Sequence, residues 1–222
     1  MVDISVLMAV HNESTELIAC AIQSIMNQSM QTFELILCDD ASNLVVSQYL
    51  KKIQMSDDRI HLLRSDENLY AGKTRNMGLK VAKGRYIAIL DADDYSYPDR
   101  LKIQYEFLES HSQYAFVCSD ADIYDGKKYT SKSIQTQKVI LRRKISLWGM
   151  PFVHATVMIR KACMDQVGGY AETKVSRRSE DYDLFMRLYA LGYKGYNLNQ
   201  ILYRYYVKSG INVKKTFVSV SR

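Results

Sequence analysis

Apolar and polar positions in the first half of the chain fall into short blocks, and their spacing switches between a period of two and one of about 3.6. Ile4, Val6, Leu7, Met8 and Val10 form a short apolar run, β-branched at its start, that predicts a buried strand. Asn12-Glu13-Ser14 breaks the run and offers a helix cap. Ile18, Ala21, Ile22, Ile25 and Met26 follow at helical spacing and predict an amphipathic helix. Residues 33–38 predict a second strand ending at Asp39-Asp40, followed by a polar turn and a helix reaching Met55. Residues 60–64 predict a third strand, and 72–79 open a helix that stops near Gly84. Residues 86–90 predict a fourth strand running into Asp91-Ala92-Asp93-Asp94. Pro98 suits the first turn of the next helix, with Leu101, Tyr105 and Leu108 on one face. Strand and helix alternate throughout, which predicts an α/β fold: a mostly parallel central sheet with helices on both faces.

The rhythm then changes. Residues 114–119 predict another strand, 120–150 a polar, basic flap or hairpin, 155–159 a strand, and 184–191 part of a helix. Tyr203, Tyr205 and Tyr206 precede a basic tail. With 222 residues, 2 prolines, no repeat and no low-complexity linker, the pattern predicts one domain over 1–222 with a smaller second half. The 47% hydrophobic and 24% charged fractions are those of an ordinary globular chain and exclude disorder, collagen and coiled coil. The longest apolar run, 17–22, is far too short to span a bilayer, and residues 1–5 do not start a secretory signal. Cys20, Cys38, Cys118 and Cys163 form no C-x-x-C pair and read as buried, reduced thiols of a cytoplasmic protein.

The net charge of +6 changes this picture little. Its excess lies in Lys127-Lys128, Arg142-Arg143-Lys144, Arg177-Arg178 and Lys214-Lys215. Each pair reads as solvated surface, and together they suit an anionic membrane or a phosphate-bearing substrate. No nucleic-acid-binding motif accompanies them.

The acids change it more. In an open parallel sheet, ligands bind beyond the carboxyl ends of the strands. Glu13, Asp39-Asp40 and the 91–94 segment all fall at such ends. Clustered carboxylates call for a cation or a donor-rich ligand. Asp91-x-Asp93 offers hard oxygens on a tight turn, which suit Mg²⁺ or Mn²⁺ completed by substrate phosphates. Lys73 and Arg75, early in a helix on the same edge, are either a pyrophosphate site or plain exposed cations. Asp120-x-Asp122 repeats the spacing but reads as a turn.

As an ordered set, segments 5–13, 37–42, 68–79, 86–94, 151–161, 168–170 and 179–188 resemble the GT-A glycosyltransferases of the family 2 type. That family transfers a sugar from a nucleotide sugar with inversion. The resemblance implies a nucleotide-sugar-binding half over about 1–100 and an acceptor-binding half over about 101–222. It implies that Ala9, His11, Glu13 and Asp40 hold uracil and ribose, that Lys73 and Arg75 belong to a helix closing over the nucleotide, and that Asp91, Ala92 and Asp93 form the D-x-D. In this pattern Asp93 ligates the metal directly, and Asp91 approaches ribose or a metal-bound water. Asp181 matches the general base, and His154 and Glu180 lie toward the acceptor or diphosphate. The implied partners are a UDP-sugar and a saccharide or lipid-linked acceptor, with surface-polysaccharide synthesis at the inner face of a membrane as the setting. A sugar nucleotidyltransferase would need a glycine-rich loop where Val10-His11-Asn12-Glu13-Ser14 stands. An aspartyl phosphatase would place its D-x-D near the N-terminus, with a small β-branched residue where Tyr95 stands. A catalytically inactive carbohydrate- or nucleotide-binding domain is the remaining alternative.

Overall fold

In the computed structural model, residues 2–125, 129–130, 139–140, 150, 152–173 and 179–207 are described. The first half supplies strands β1 (Ile4–Val10), β2 (Phe33–Asp40), β3 (Ile60–Ser65) and β4 (Tyr86–Asp91), with helices α1 (Thr15–Met26), α2 (Leu44–Gln54) and α3 (Tyr70–Val81) between them. Next come β5 (Tyr95–Ser96), α4 (Arg100–Ser110), β6 (Phe116–Tyr124), β7 (Tyr129–Thr130) and β8 (Val139–Ile140). The remaining elements are β9 (Met158–Arg160), α5 (Lys161–Gln166), α6 (Glu180–Ala190) and β10 (Gly195–Tyr206).

One sheet runs β3-β2-β1-β4-β9-β6-β10-β5, with β7 on β6 and β8 on β10. Its first four strands are parallel, whereas β9 enters antiparallel between β4 and β6. The strand period explains why both faces are covered. Ile4, Val6, Met8 and Val10 of β1 pack into a core with Ile18, Ile22, Ile25 and Leu50 from α1 and α2 and Leu101 and Leu108 from α4. Leu7 faces the opposite core with Ile36, Ile87 and Ile89, covered by Leu79 of α3 and Leu184, Phe185 and Leu188 of α6. Fully burying each such side chain is worth about 1.5–3 kcal/mol. Ser14 caps α1 by accepting from the Leu17 amide, and Asn43 caps α2 through Val46.

The structure corrects several sequence expectations. Residues 155–159 are not one strand: His154–Thr156 is a 3₁₀ turn, and β9 begins only at Met158. The cause is Arg100, fully buried, whose Nη2 donates to the carbonyls of Ile89, Ala155 and Val157 at 2.8, 3.0 and 3.3 Å. Gln104 takes the Thr156 carbonyl at 2.7 Å. Asp120 and Asp122 do not form a turn; β6 carries straight through them to Tyr124, because β10 pairs along it. Pro98 lies ahead of α4 rather than in its first turn: the Arg100 amide closes a turn onto the Tyr97 carbonyl at 3.0 Å, with Pro98 inside it. Helix α6 starts at Glu180, four residues ahead of its apolar stripe, with three acids in its first turn. Cys20 is exposed; the other three thiols are buried, and all four are free. The flap over 126–128, 131–138 and 141–149, the four basic clusters, Trp148 and the tail from 208 lie outside the described residues.

Candidate active site

The chain after β1 turns at Asn12, whose φ of 65° lies in the left-handed region that asparagine tolerates. That turn brings His11 and Glu13 across the carboxyl end of the sheet. His11 Nδ1 lies 2.6 Å from the backbone carbonyl of Asp40. A carbonyl only accepts, so Nδ1 carries the proton, and Nε2 accepts from Asn68 at 3.1 Å. The His11 amide donates to Glu13 at 2.6 Å.

The two aspartates that end β2 have different surroundings. Asp39 is fully buried, accepts from the Ser42 amide at 2.9 Å and pairs with Arg64. Asp40 faces the other way and accepts the Leu69 and Tyr70 amides at 2.6 and 3.0 Å, one on each carboxylate oxygen. These amides open α3, which has no side-chain cap of its own. A carboxylate from the neighbouring strand therefore satisfies them and meets the positive end of the helix.

Asp91 ends β4, and its amide donates to the Tyr203 hydroxyl at 3.2 Å. Its carboxylate accepts from Arg75 Nη2 at 2.7 Å. Arg75 Nη1 lies 3.5 Å from Glu180 Oε1, and the guanidinium stands over the Tyr170 ring at 5.8 Å. Arg75 is only 6% exposed, so it is not a surface cation, and its Nε–H is buried without a partner. Burial alone would lower its pKa, but the charges of Asp91, Tyr170 and Glu180 outweigh that and raise it. Burial raises the pKa of Glu180, an effect Arg75 opposes. Asp94, behind the turn, is buried and accepts from the Tyr206 amide at 2.8 Å. Burial, then the charges of Asp91 and Asp93, push its carboxyl well above the usual range.

These turns border an open cleft with about 520 Å³ of empty space. Ala9, His11, Glu13, Asp40, Arg75, Asp91, Ala92 and Asp93, all singled out in the sequence, line it together. Val10 and Ala71 also line it and carry no side-chain chemistry that sequence reasoning could have flagged. Lys73 lies outside it, in a small neighbouring pocket with Gly72, Glu172 and Glu180, its ammonium 3.9 Å from Glu172. Asp181 does not line the cleft either; it sits in the first turn of α6 and accepts from the Tyr182 amide at 2.7 Å.

His154 does not line the cleft. Burial, and then the charge of Arg75, hold its pKa well below the usual histidine value. Its Nε2 lies 2.8 Å from the Tyr170 hydroxyl. Asn76 clamps Tyr170 in turn: its Nδ2 donates to the Tyr170 carbonyl at 2.8 Å, and its Oδ1 accepts the Tyr170 amide at 2.9 Å. Gly169, at φ 71°, leaves room for that clamp, since a Cβ there would stand 2.6 Å from Asn76 Oδ1. Sequence reasoning matched Asn76 and Tyr170 to motifs but gave them no role, because their contact spans 94 positions.

Residues 5–168 match the family described as Glycosyl transferase family 2. The chain belongs to that family. It is a glycosyltransferase with the GT-A fold. It is 36% identical over 205 residues to EpsE of Bacillus subtilis (strain 168), named as a glycosyltransferase, covering 90% of this chain and 72% of EpsE. It is 26% identical over 207 residues to WfaP of Escherichia coli, covering 93% of this chain and 78% of WfaP. WfaP is named a beta-1,3-glucosyltransferase from UDP-Glc to alpha-D-GlcNAc-diphosphoundecaprenol. The crystal structure of S. aureus TarS 1-349 in complex with UDP superposes with a TM-score of 0.74 at 22% identity, over 92% of this chain. This chain spans 60% of that structure's length.

Proposed function

We propose that this glycosyltransferase takes its sugar from a UDP-sugar and passes it, with inversion, to a hydroxyl of a saccharide or lipid-linked acceptor in surface-polysaccharide synthesis. The supporting observation is that eight residues named from three strand ends and one helix border a single cleft. Asp40 and Glu13 offer acceptors for the imide N–H of uracil and for ribose hydroxyls. Ala9 and Ala92 leave space for flat groups, and His11 Nδ1–H is committed to the Asp40 carbonyl. WfaP's named donor and acceptor support the substrate classes, as does the UDP bound by TarS. No helix among the described residues is long and apolar enough to cross a membrane. In this reading a lipid-linked acceptor, the class named for WfaP, would be met at the cytoplasmic face of a membrane.

Asp91 and Asp93 fit a hard divalent cation, Mn²⁺ or Mg²⁺, by donor chemistry. Among the described residues no three acidic, histidine or cysteine side chains gather to cage one. Asp93 is the proposed direct ligand; Asp91 already shares its carboxylate with Arg75. When bound with the nucleotide, the cation would supply Lewis-acid stabilisation of the leaving diphosphate. Asp181 is the proposed base. It would take the proton of the acceptor hydroxyl as that oxygen attacks the anomeric carbon from the face opposite the leaving group, with no covalent sugar intermediate.

The reading is tested with purified protein, a panel of UDP-sugars and Mn²⁺, by following UDP release. Asp181→Asn should keep UDP affinity and lose transfer by about 10²- to 10⁴-fold, the range for a general base. Full transfer in Asp181→Asn would remove Asp181 from the mechanism. Failure to bind UDP, with or without Mn²⁺, would overturn the UDP-sugar reading.

A further inference from the structure

Arg75 joins two parts of the site that the chain itself keeps far apart. Asp91 is 16 positions away at the end of β4, and Glu180 is 105 positions away at the start of α6. Both Nη groups are committed to protein carboxylates, at 2.7 and 3.5 Å. The guanidinium is 6% exposed, and the Tyr170 ring that flanks it is itself clamped by Asn76. The far end of the bridge is held as firmly. A Cβ on Gly72, one turn before Arg75, would stand 3.1 Å from Glu180 Cβ and 3.3 Å from Glu180 Cγ. The absent side chain is what lets α6 bring its first residue against α3.

We infer that Arg75 is a positioning residue: it fixes the first D-x-D carboxylate and the start of the helix that carries Asp181 relative to one another, and donor affinity does not depend on it. This rests on the reading of Asp181 as base and Asp93 as the cation's ligand. Two consequences follow from the geometry. A carboxylate oxygen held by a guanidinium is a weaker cation ligand, so Arg75 leaves Asp93 as the ligand and keeps Asp91 in place. And since Glu180 and Asp181 are adjacent in the first turn of α6, a fork holding Glu180 also limits where Asp181 can stand. Displacing a reacting group by about 1 Å can cost on the order of 100-fold in rate.

The test uses the full chain and two variants, Arg75→Lys and Arg75→Met. UDP affinity is measured by calorimetry with Mn²⁺, and kcat and donor KM by UDP release from the best donor found in the panel. Arg75→Met leaves two carboxylates without their buried cation, and a thermal melt reports whether it folds. Arg75→Lys keeps the charge but replaces a two-nitrogen fork by a single ammonium, and it decides the matter if Arg75→Met does not fold. The expected result is a fall in kcat of about tenfold or more, with UDP affinity within about threefold of the parent. A loss of UDP affinity of about tenfold or more in Arg75→Lys would make Arg75 a donor-binding residue and overturn the inference. So would folded variants that keep kcat within about twofold, because the bridge would then serve stability alone. A parent that neither binds UDP nor releases it from any UDP-sugar sinks the underlying functional reading instead, a result distinct from either outcome.

Discussion

Asp91-x-Asp93 and Asp120-x-Asp122 share a spacing and little else. The first pair stands where β4 ends and lines the cleft. The second lies within β6, where Asn197 donates to Asp120 at 2.9 Å and the Tyr97 hydroxyl donates to Asp122 at 2.7 Å. Arg204 stands over the Tyr97 ring at 5.2 Å and donates to its hydroxyl at 3.0 Å. Both pairs follow an apolar run, so what separates them is where the strand stops pairing. β4 loses its neighbours at Asp91, whereas β10 continues along β6 to Tyr124. A carboxylate where a strand stops pairing can border a cleft; one inside the ladder needs a protein donor, because burying it unpaired is costly.

The sharpest way to break this contrast is Asp93→Ala against Asp120→Ala. Asp93→Ala should cut transfer about 100-fold or more, by loss of electrostatic stabilisation of the leaving group, with the melting temperature nearly unchanged. Asp120→Ala should do the reverse: kcat stays within about twofold, while stability falls by about 1–3 kcal/mol because the buried Asn197 amide loses the closer of its two acceptors. Equal activity losses in the two variants would end the distinction.

A pH series of melts comes next, read as the difference between the parent and His154→Gln, because Asp94, whose carboxyl is raised, acts with the opposite sign as pH falls. The folded pKa of His154 lies well below the usual histidine value of about 6.5, so the unfolded chain takes up a proton first as pH falls. Its stabilising contribution is therefore complete above about pH 6.5 and lost below it, with a slope of up to about 1.4 kcal/mol per pH unit. Replacing His154 with Gln should flatten that slope; an unchanged slope would assign it elsewhere. The smallest expected effect is Tyr97→Phe, about 1 kcal/mol of stability with transfer unaffected. A measurable fall in transfer would tie the second pair to the site.

The sequence disclosed what depends on near neighbours. The period of β1 and α1, the Ser14 cap and the acids at three strand ends were all readable, because each rests on residues within a turn or a strand. The 3₁₀ turn at His154–Thr156 was not, since Arg100, more than 50 positions away, claims its carbonyls. Nor was β10: Asn197, Asn199 and Gln200 interrupt its apolar pattern, and its register on β6 shifts between Leu198 and Ile201. The cleft's composition was legible residue by residue. The pairing of Arg75 with Asp91 and Glu180 was not, because no local signal states which acid a buried guanidinium will meet.

Arg100 sets a limit on how the molecule can be divided. One nitrogen ties the last strand of the parallel array to the turn that opens the antiparallel insertion. Burial lowers its pKa to about 10, yet it still carries a proton at neutral pH. A fragment cut near residue 100 would leave either that cation or its carbonyls without a counterpart in an apolar interior. The first half of the chain is therefore a poor candidate for excision as a module, and chimaeras joined at that point should carry Arg100, Gln104 and the 154–157 segment from the same parent.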